Sequence, residues 1–497
     1  MAVVFSSMAS LRFVDGDEGY YLLASRLILD GKWPYKDFFY TQMPLLPYVY
    51  GIWMKATGVS FYSGRALSAL LSIVLGLMLC YQAKELTHRR SMAILALLLY
   101  SFSALAVEWF PVVKTYALST TLLFAAYSAV PDSDSNHKHL RHFIAGMLLG
   151  LAFATRSVLL AAAPAFLVHV FLTTNSRRDW MTGLLSLCSG FCVSVAACGI
   201  LLVADAQGFL FGNLGYHAAR IDFSPSIWIG QKLDQLAGLF LLRSARQGLD
   251  NQFPILLFLN LLSARLYFTG GSRFKLSLSL VLCLFVGTMV IPTDSVQYFV
   301  VLMPFLILNS LYVVNAVMAS LTTDQQQIQK DIYRWGLVIL LFAYFAAWPI
   351  KVYDFTVSGY CVPGIKHEKD AYDWKIDTID LVAQQIDRLA LPHEQVLTWW
   401  PGYLVDSKAT VVPGLENHFG REAANLVSQA EAARYHMLPD SQADELIDQA
   451  KVRIIVLGNW APNNKDELRK RLTQNRYANV ARIGDTEIYF RDQPRKD

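Results

Sequence analysis

The sequence predicts a polytopic α-helical membrane bundle followed by a small soluble α/β domain. Two observations carry this reading. Of 497 residues, 54% are hydrophobic and only 16% charged, whereas soluble domains rarely exceed about 50% apolar. The apolar excess lies in long runs before about residue 350, and strand-like and amphipathic segments alternate after it. The net charge of +4 is small and scattered and suggests no nucleic-acid partner. Five of the six cysteines (Cys80, Cys188, Cys192, Cys198, Cys283) lie in apolar runs, so neither a disulfide framework nor zinc spacing appears.

Residues 1–61 are expected to form an acidic extracytoplasmic loop with interfacial helices. The opening "MAVVFSSMASLRFV" lacks the basic start of a signal peptide and is too short to span. Either a first span precedes it or the chain begins outside. Asp15, Asp17 and Glu18 then introduce "GYYLLASRLILDG", a helix-like run too short to cross. Such a helix suits the interface plane, with Tyr20 and Tyr21 at headgroup level. Carboxylates beside a bilayer are costly unless solvated or useful. Two roles stay open: capping the helix and favouring its dipole, or accepting a proton from a nucleophile.

Residues 62–350 are expected to form the bundle. Apolar runs near the roughly 20-residue spanning length fall at about 62–83, 91–108, 111–130, 143–157, 158–173, 181–204, 251–268, 275–292, 296–320 and 332–350. Arg156 splits one continuous apolar stretch and predicts a turn there. Basic residues cluster in alternate loops: Lys84, Arg89 and Arg90; Lys138 and Arg141; Arg177 and Arg178; Arg265, Arg273 and Lys275; Lys330 and Arg334. These loops are expected to be cytoplasmic. Parity then puts the acidic opening, the segment at about 205–250 and everything after about 351 outside.

Residues 351–497 are expected to form an extracytoplasmic α/β domain. "AYDWKIDTIDLVAQQIDRLA", "DSQADELIDQA" and "NNKDELRKRLTQN" have helical periodicity, and "QVLTWW", "VRIIVLG" and "TEIYFRD" read as strands. No glycine-rich phosphate loop or triad spacing occurs there. His418, in "GLENHFG", reads as an exposed loop histidine with no partner.

The stretch from Asp17 to Leu70 resembles the first extracytoplasmic loop of GT-C glycosyltransferases, in the branch of protein O-mannosyltransferases and lipid A aminoarabinose transferases. The likeness rests on Asp17 and Glu18, Tyr20, Ala24, Gly31, Pro34 and Tyr35 with Asp37, "MPLLPY", Gly58 and Arg65. "GMLLGLAFATRSVLLAAAPAF" and "TDSVQYFVVLMPFL" resemble two further family segments. Three features depart from the family: its first span has no counterpart here, its double proline is Met43-Pro44, and its Lys-Gly is Arg156-Ser157.

The resemblance implies an inner (plasma) membrane enzyme, multi-pass, with its active site outside. It would move a sugar from a polyprenyl-phosphate carrier to a glycan, lipid or protein acceptor by direct displacement with inversion. It implies Asp17 as catalytic base, with Glu18 in support. Arg156, placed outside by parity, is the expected partner of the carrier phosphate, since a guanidinium can hold phosphate bidentately; its alternative is a snorkelling residue that ends a span. Lys114 is a second phosphate candidate or a counter-charge to Glu108. Glu108, Tyr298, His217 and Arg220 are candidate substrate contacts; Glu108, His217 and Arg220 have a solvated turn or loop as the alternative, and Tyr298 stands in the family's Arg-Tyr element without its Arg. Arg65 is expected to stabilise the start of its span. No acidic cluster suggests a dedicated metal or cofactor, although some GT-C enzymes use a divalent cation. Two other functions share these features. A transporter or flippase for a lipid-linked sugar needs no carboxylate pair or outer domain, and a non-catalytic partner of a polysaccharide synthesis complex tolerates the three departures.

Overall fold

The computed structural model describes residues 1–131, 137–174, 176–220, 224–239, 252–291, 295–320, 327–360, 362, 364–365, 368–458, 460–462 and 464–492. Helices α1 (Ala2–Leu11), α2 (Gly16–Leu29) and α3 (Leu45–Thr57) precede the bundle. It continues through α4 (Phe61–Thr87), α5 (Arg90–Ser101), α6 (Ala104–Trp109), α7 (Thr115–Ala129), α8 (Lys138–Thr155), α9 (Ala163–Leu172) and α10 (Arg177–Ala204). Helix occupies each of the ten apolar runs, although the end of the 205–250 segment lies outside the described residues. Among the described residues, five helical stretches are long and apolar enough to cross a membrane: Phe61–Thr87, Arg177–Ala204, Ser272–Val290, Val296–Ala319 and Gln327–Ser358. Val296–Ala319 is central, with 78% of its apolar window buried, whereas Gln327–Ser358 is peripheral at 11%.

The GxxxG of the "GMLLG" stretch brings two helices into backbone contact. A Cβ on Gly146 would lie 1.9 Å from the Leu187 carbonyl oxygen, and one on Gly190 would lie 2.0 Å from that of Phe143. Only glycine permits that approach, the small-residue packing typical of membrane helices. It locks α8 against α10. At the end of α8, Arg156 adopts an extended conformation (φ −152°, ψ 109°) and a 3-10 turn, Ser157–Ala162, follows. The predicted turn is therefore real, and it leaves the Arg156 side chain at a helix terminus.

The C-terminal domain holds a five-stranded sheet: β1 (Gln395–Thr398), β2 (Thr410–Val411), β3 (Ile454–Leu457), β4 (Ala478–Ile483) and β5 (Thr486–Phe490), in the order β2-β1-β3-β5-β4. The β2-β1-β3 part is parallel and the β3-β5-β4 part antiparallel. β3 is buried along its length, as the unbroken "IIVL" requires of a strand covered on both faces. The segments "QVLTWW", "VRIIVLG" and "TEIYFRD" supply β1, β3 and β5. β2 and β4 escape pattern reading, because one is two residues long and the other is mostly exposed, with no buried face to give it alternation.

This domain docks on the acidic opening. The Trp400 indole N–H donates to the Gly16 carbonyl at 2.8 Å. Arg26 Nη1 donates to the carbonyls of Leu404 at 2.5 Å and Ser407 at 2.6 Å. The Val14 amide donates to the Trp374 carbonyl at 2.7 Å. The two hydrophilic ends of the chain thus meet at one end of the bundle.

Candidate active site

A cavity of about 640 Å³ opens where α2, the α6–α7 connection, the α8 terminus and the C-terminal domain converge. Its walls include Asp15, Asp17, Lys114, Arg156, Tyr298 and Trp460.

Sequence places three acids within four residues, and the helix start gives each a different task. Asp15 is the N-cap of α2: its Oδ1 accepts from the Asp17 amide at 3.1 Å. Glu18 closes the capping box by accepting from the Asp15 amide at 2.8 Å, which satisfies two orphan donors reciprocally. Asp15 and Asp17 both line the cavity, but Asp17 is the more open of the two, with a quarter of its side chain exposed.

Glu18 does not line the cavity. It is fully buried, takes a bidentate pair from Arg65 (Nη2 to Oε1 at 2.6 Å, Nε to Oε2 at 2.8 Å) and accepts from the Val113 amide at 3.0 Å. The supporting catalytic role expected for Glu18 therefore gives way to a structural one, since its oxygens are spent on the framework. Arg65, expected only at a span start, is the hub: it also donates to the carbonyls of Ala9, Arg12 and Phe13 at 3.1, 2.6 and 3.1 Å. A buried cation of this kind needs its full set of acceptors.

Lys114 does line the cavity, but its ammonium is already shared between Asp15 Oδ1 at 2.7 Å and Asp17 Oδ2 at 3.0 Å. Two carboxylates compensate it before any ligand arrives. Burial alone would raise the Asp15 carboxyl, yet Lys114 and Arg12 together hold it below its ordinary value. Burial outweighs the same lysine at Asp17, and the adjacent Asp15 charge adds to the push, so the Asp17 carboxyl sits above its ordinary value. A buried carboxyl raised in this way is closer to the working pH of a general base.

Arg156 is treated differently. It is 7% exposed, donates through Nη1 to Thr115 Oγ1 at 2.9 Å and lies between the rings of Tyr116 and Tyr298 at 4.6 and 4.5 Å. Its Nε has no hydrogen-bond partner. Among the described residues no carboxylate pairs with it. Two tyrosine faces stabilise the cation without consuming its charge or all its donors.

The remaining predicted residues divide. Tyr298, His217 and Arg220 line the cavity. His217 Nε2 lies 3.1 Å from the Thr41 carbonyl, and Arg220 donates to the Tyr216 hydroxyl at 3.1 Å and covers the Phe419 ring at 4.9 Å. Glu108 is buried on α6 and does not line the cavity, so the substrate contact expected of it is not supported by its position. Among the described residues, no group of three His, Cys, Asp or Glu side chains is arranged to hold a metal ion.

Sequence reasoning missed the contribution of the C-terminal domain. Phe419 and Trp460 line the cavity. His418, expected to be exposed and solitary, is 3% exposed, with Nε2 3.8 Å from Asp17 Oδ1. A Cβ on Gly16 would lie 2.4 Å from the Trp460 ring, so the domain rests directly on the start of α2. The only local signal was the cluster of aromatics and glycines around "WWPGY" and "NHFG". It marks close packing without identifying the partner.

Residues 41–201 match the family model described as dolichyl-phosphate-mannose-protein mannosyltransferase. No curated protein matches the chain. The structure is similar to ArnT from Cupriavidus metallidurans bound to undecaprenyl phosphate, with a TM-score of 0.65 and 14% identity over 98% of this chain and 96% of that one. The apo state of the same enzyme gives 0.64 and 14% over 98% and 95%. The apo Archaeoglobus fulgidus oligosaccharyltransferase gives 0.50 and 11% over 92% of this chain and 69% of that one. The chain has the GT-C fold: an apolar helical bundle of membrane type carrying a C-terminal α/β domain.

Proposed function

We propose that the protein is a membrane glycosyltransferase that takes a sugar from a polyprenyl-phosphate carrier and passes it to an acceptor on the extracytoplasmic side. The observation that carries this reading is the pairing, in one cavity, of a partly exposed carboxylate with raised affinity for protons, Asp17, and an uncompensated cation, Arg156. The first is suited to taking a proton and the second to holding an anion. ArnT, which shares the fold, was solved with undecaprenyl phosphate bound, which supports a lipid phosphate as the anion.

In this reading the acceptor hydroxyl or amine attacks the anomeric carbon from the side opposite the phosphate. Asp17 takes its proton as the new bond forms. The bond from the anomeric carbon to the phosphate oxygen breaks, its electron pair leaves with the phosphate, and the configuration inverts. Arg156 donates to the phosphate oxygens as their charge develops, and the Tyr116 and Tyr298 rings keep its plane fixed. Removing such a partner from the developing charge is costly in a water-poor site. Asp15 and Lys114 hold the base: the ammonium tethers Asp17 Oδ2, and Asp15 keeps the ammonium from neutralising the base outright.

The test is transfer. Purified protein is incubated with a panel of radiolabelled polyprenyl-phosphate sugars and native membranes. The expected result is label in an acceptor with wild-type protein and none with Asp17→Asn, while both bind donor. Donor binding with no transfer by wild type, and movement of donor between leaflets, would make the protein a flippase. Sidedness has its own measurement: cysteines placed at the exposed Lys32 and Lys470 in a cysteine-depleted background should both react with an impermeant reagent on intact cells. Reaction at only one site overturns the shared extracytoplasmic face. The proposal gives the phosphate its partner in Arg156 and calls on no metal. Turnover abolished by a chelator and restored by a divalent cation would overturn that part.

A further inference from the structure

We propose that His418, supplied by the C-terminal domain, is a positioning residue for Asp17, orienting the carboxylate through its second oxygen. The inference rests on the reading of Asp17 as the base.

Asp17 is held from one side only by Lys114, which reaches Oδ2. A carboxylate tethered through one oxygen can rotate about its Cβ–Cγ bond. Oδ1 faces Nε2 of His418 at 3.8 Å. The imidazole has 1% of its side chain exposed and neither ring nitrogen has a hydrogen-bond partner. Burying such a group unsatisfied is unfavourable, and one contact is in reach: a shift of under ~1 Å brings Nε2–H to the hydrogen-bond distance of roughly 2.9 Å from Oδ1. Catalytic hydrogen bonds are often long without substrate and tighten in the complex.

The surroundings fix the ring and its charge. His418 packs against Tyr20, Phe419 and Trp460, with ring centres at 5.6, 4.1 and 4.4 Å. It opens the short helix His418–Ala424, which Asn417 caps by accepting from the Phe419 amide at 3.0 Å. Arg421 on the same helix pairs with Asp440 at 2.6 Å and donates to the Trp460 carbonyl at 3.2 Å. The charged groups facing the imidazole are Asp15 and Asp17 from α2, Lys114 from the α6–α7 connection, and Arg220. Burial, with Arg220 and Lys114 assisting and Asp15 opposing, pushes the imidazole down to about 3. His418 is therefore neutral, donating a hydrogen bond without adding a charge that would suppress the base. Phe419 and Trp460 line the cavity and His418 does not, so it acts behind the carboxylate.

The experiment compares His418→Phe, His418→Gln and His418→Asn in the full-length enzyme. Phenylalanine keeps the packing and removes the donor. Glutamine places an amide N–H near the ε position, and asparagine stops at the δ position. The expected result for His418→Phe is a roughly ten- to hundredfold fall in kcat, the scale of one hydrogen bond to a charged group, with donor KM unchanged. The acid limb of the pH profile should move to higher pH, because the carboxylate loses a donor that stabilises its charged form. Glutamine should recover most of kcat and the wild-type limb, and asparagine should not. Wild-type turnover and pH profile in the phenylalanine variant would overturn the proposal. Should that variant not fold, equal activity and equal pH profiles for glutamine and asparagine would overturn it. In an Asp17→Asn background the His418 substitutions should have no further effect. Full activity of Asp17→Asn alone removes the reading of the base, whereas a dead Asp17→Asn beside a normal His418→Phe removes only the role of His418.

Discussion

Lys114 and Arg156 stand on two walls of one cavity, and the protein handles the two cations in opposite ways. Around Lys114, two carboxylates lie within 3.0 Å. Around Arg156 there are two tyrosine faces and a threonine hydroxyl, and no acid among the described residues. A compensated cation is a fixture of the wall. A cation held by ring faces and a neutral hydroxyl keeps its charge uncompensated. The same distinction separates the neighbouring acids: Glu18 is consumed by Arg65, while Asp17 keeps a quarter of its side chain open to the cavity. Charge alone therefore does not distinguish these residues; the state of its compensation does.

The largest expected effect breaks the acidic wall at its base. Asp17→Asn should lower turnover by roughly 10²–10⁴-fold, the usual contribution of a general base, with the thermal midpoint nearly unchanged. The cap of α2 is Asp15, so this substitution leaves capping intact. Full activity in a sugar-transfer assay would return Asp17 to the framework. Next comes Glu18→Gln, which strands Arg65 in a fully buried site. Loss of one partner from such a pair costs about 3–5 kcal/mol of stability. Unfolding of the detergent-solubilised variant should show it, and an unaltered midpoint would make the distinction between Glu18 and Asp17 untenable.

On the basic wall, Arg156→Ala should raise donor KM by roughly ten- to hundredfold, a charged hydrogen bond's worth, with acceptor KM little changed. Arg156→Lys should recover part of it, because a point charge remains but the planar fork is lost. Donor KM unaffected by alanine would reduce Arg156 to a helix-ending residue. The smallest effect sharpens the contrast. Lys114→Met should leave donor KM nearly unchanged and move the acid limb of kcat/KM to higher pH. The ammonium lowers the Asp17 pKa, so its loss makes the base protonate earlier as the pH falls. A large donor KM effect from Lys114→Met would mean that both cations serve the phosphate.

The bundle, the turn at Arg156 and the α/β tail were legible because apolar run length, one interrupting charge and period-two strands are local signals. So was the candidacy of Asp17, Arg156, Tyr298, His217 and Arg220, through their resemblance to family segments or their place in predicted outer loops. The division of labour among Asp15, Asp17 and Glu18 was not. It depends on Arg65 and Lys114, which lie 47 and 97 residues beyond Glu18 and Asp17, and on which carboxylate the helix start turns inward. The part played by His418 was invisible for the same reason: a lone histidine has no periodicity, and its partner is at the other end of the chain.

That separation has a consequence for how the cavity comes into being. More than four hundred residues lie between Gly16 and the Trp460 ring that rests on it. At roughly 5–20 residues per second, the ribosome finishes Asp17 tens of seconds before it makes the residues of the C-terminal domain that pack beside it. A nascent chain therefore carries Asp17 and Arg156 before the Phe419 and Trp460 part of the cavity wall exists. Translation order therefore decides when the cavity closes: its bundle walls are made first, and Phe419 and Trp460 complete them only once the C-terminal domain has been made.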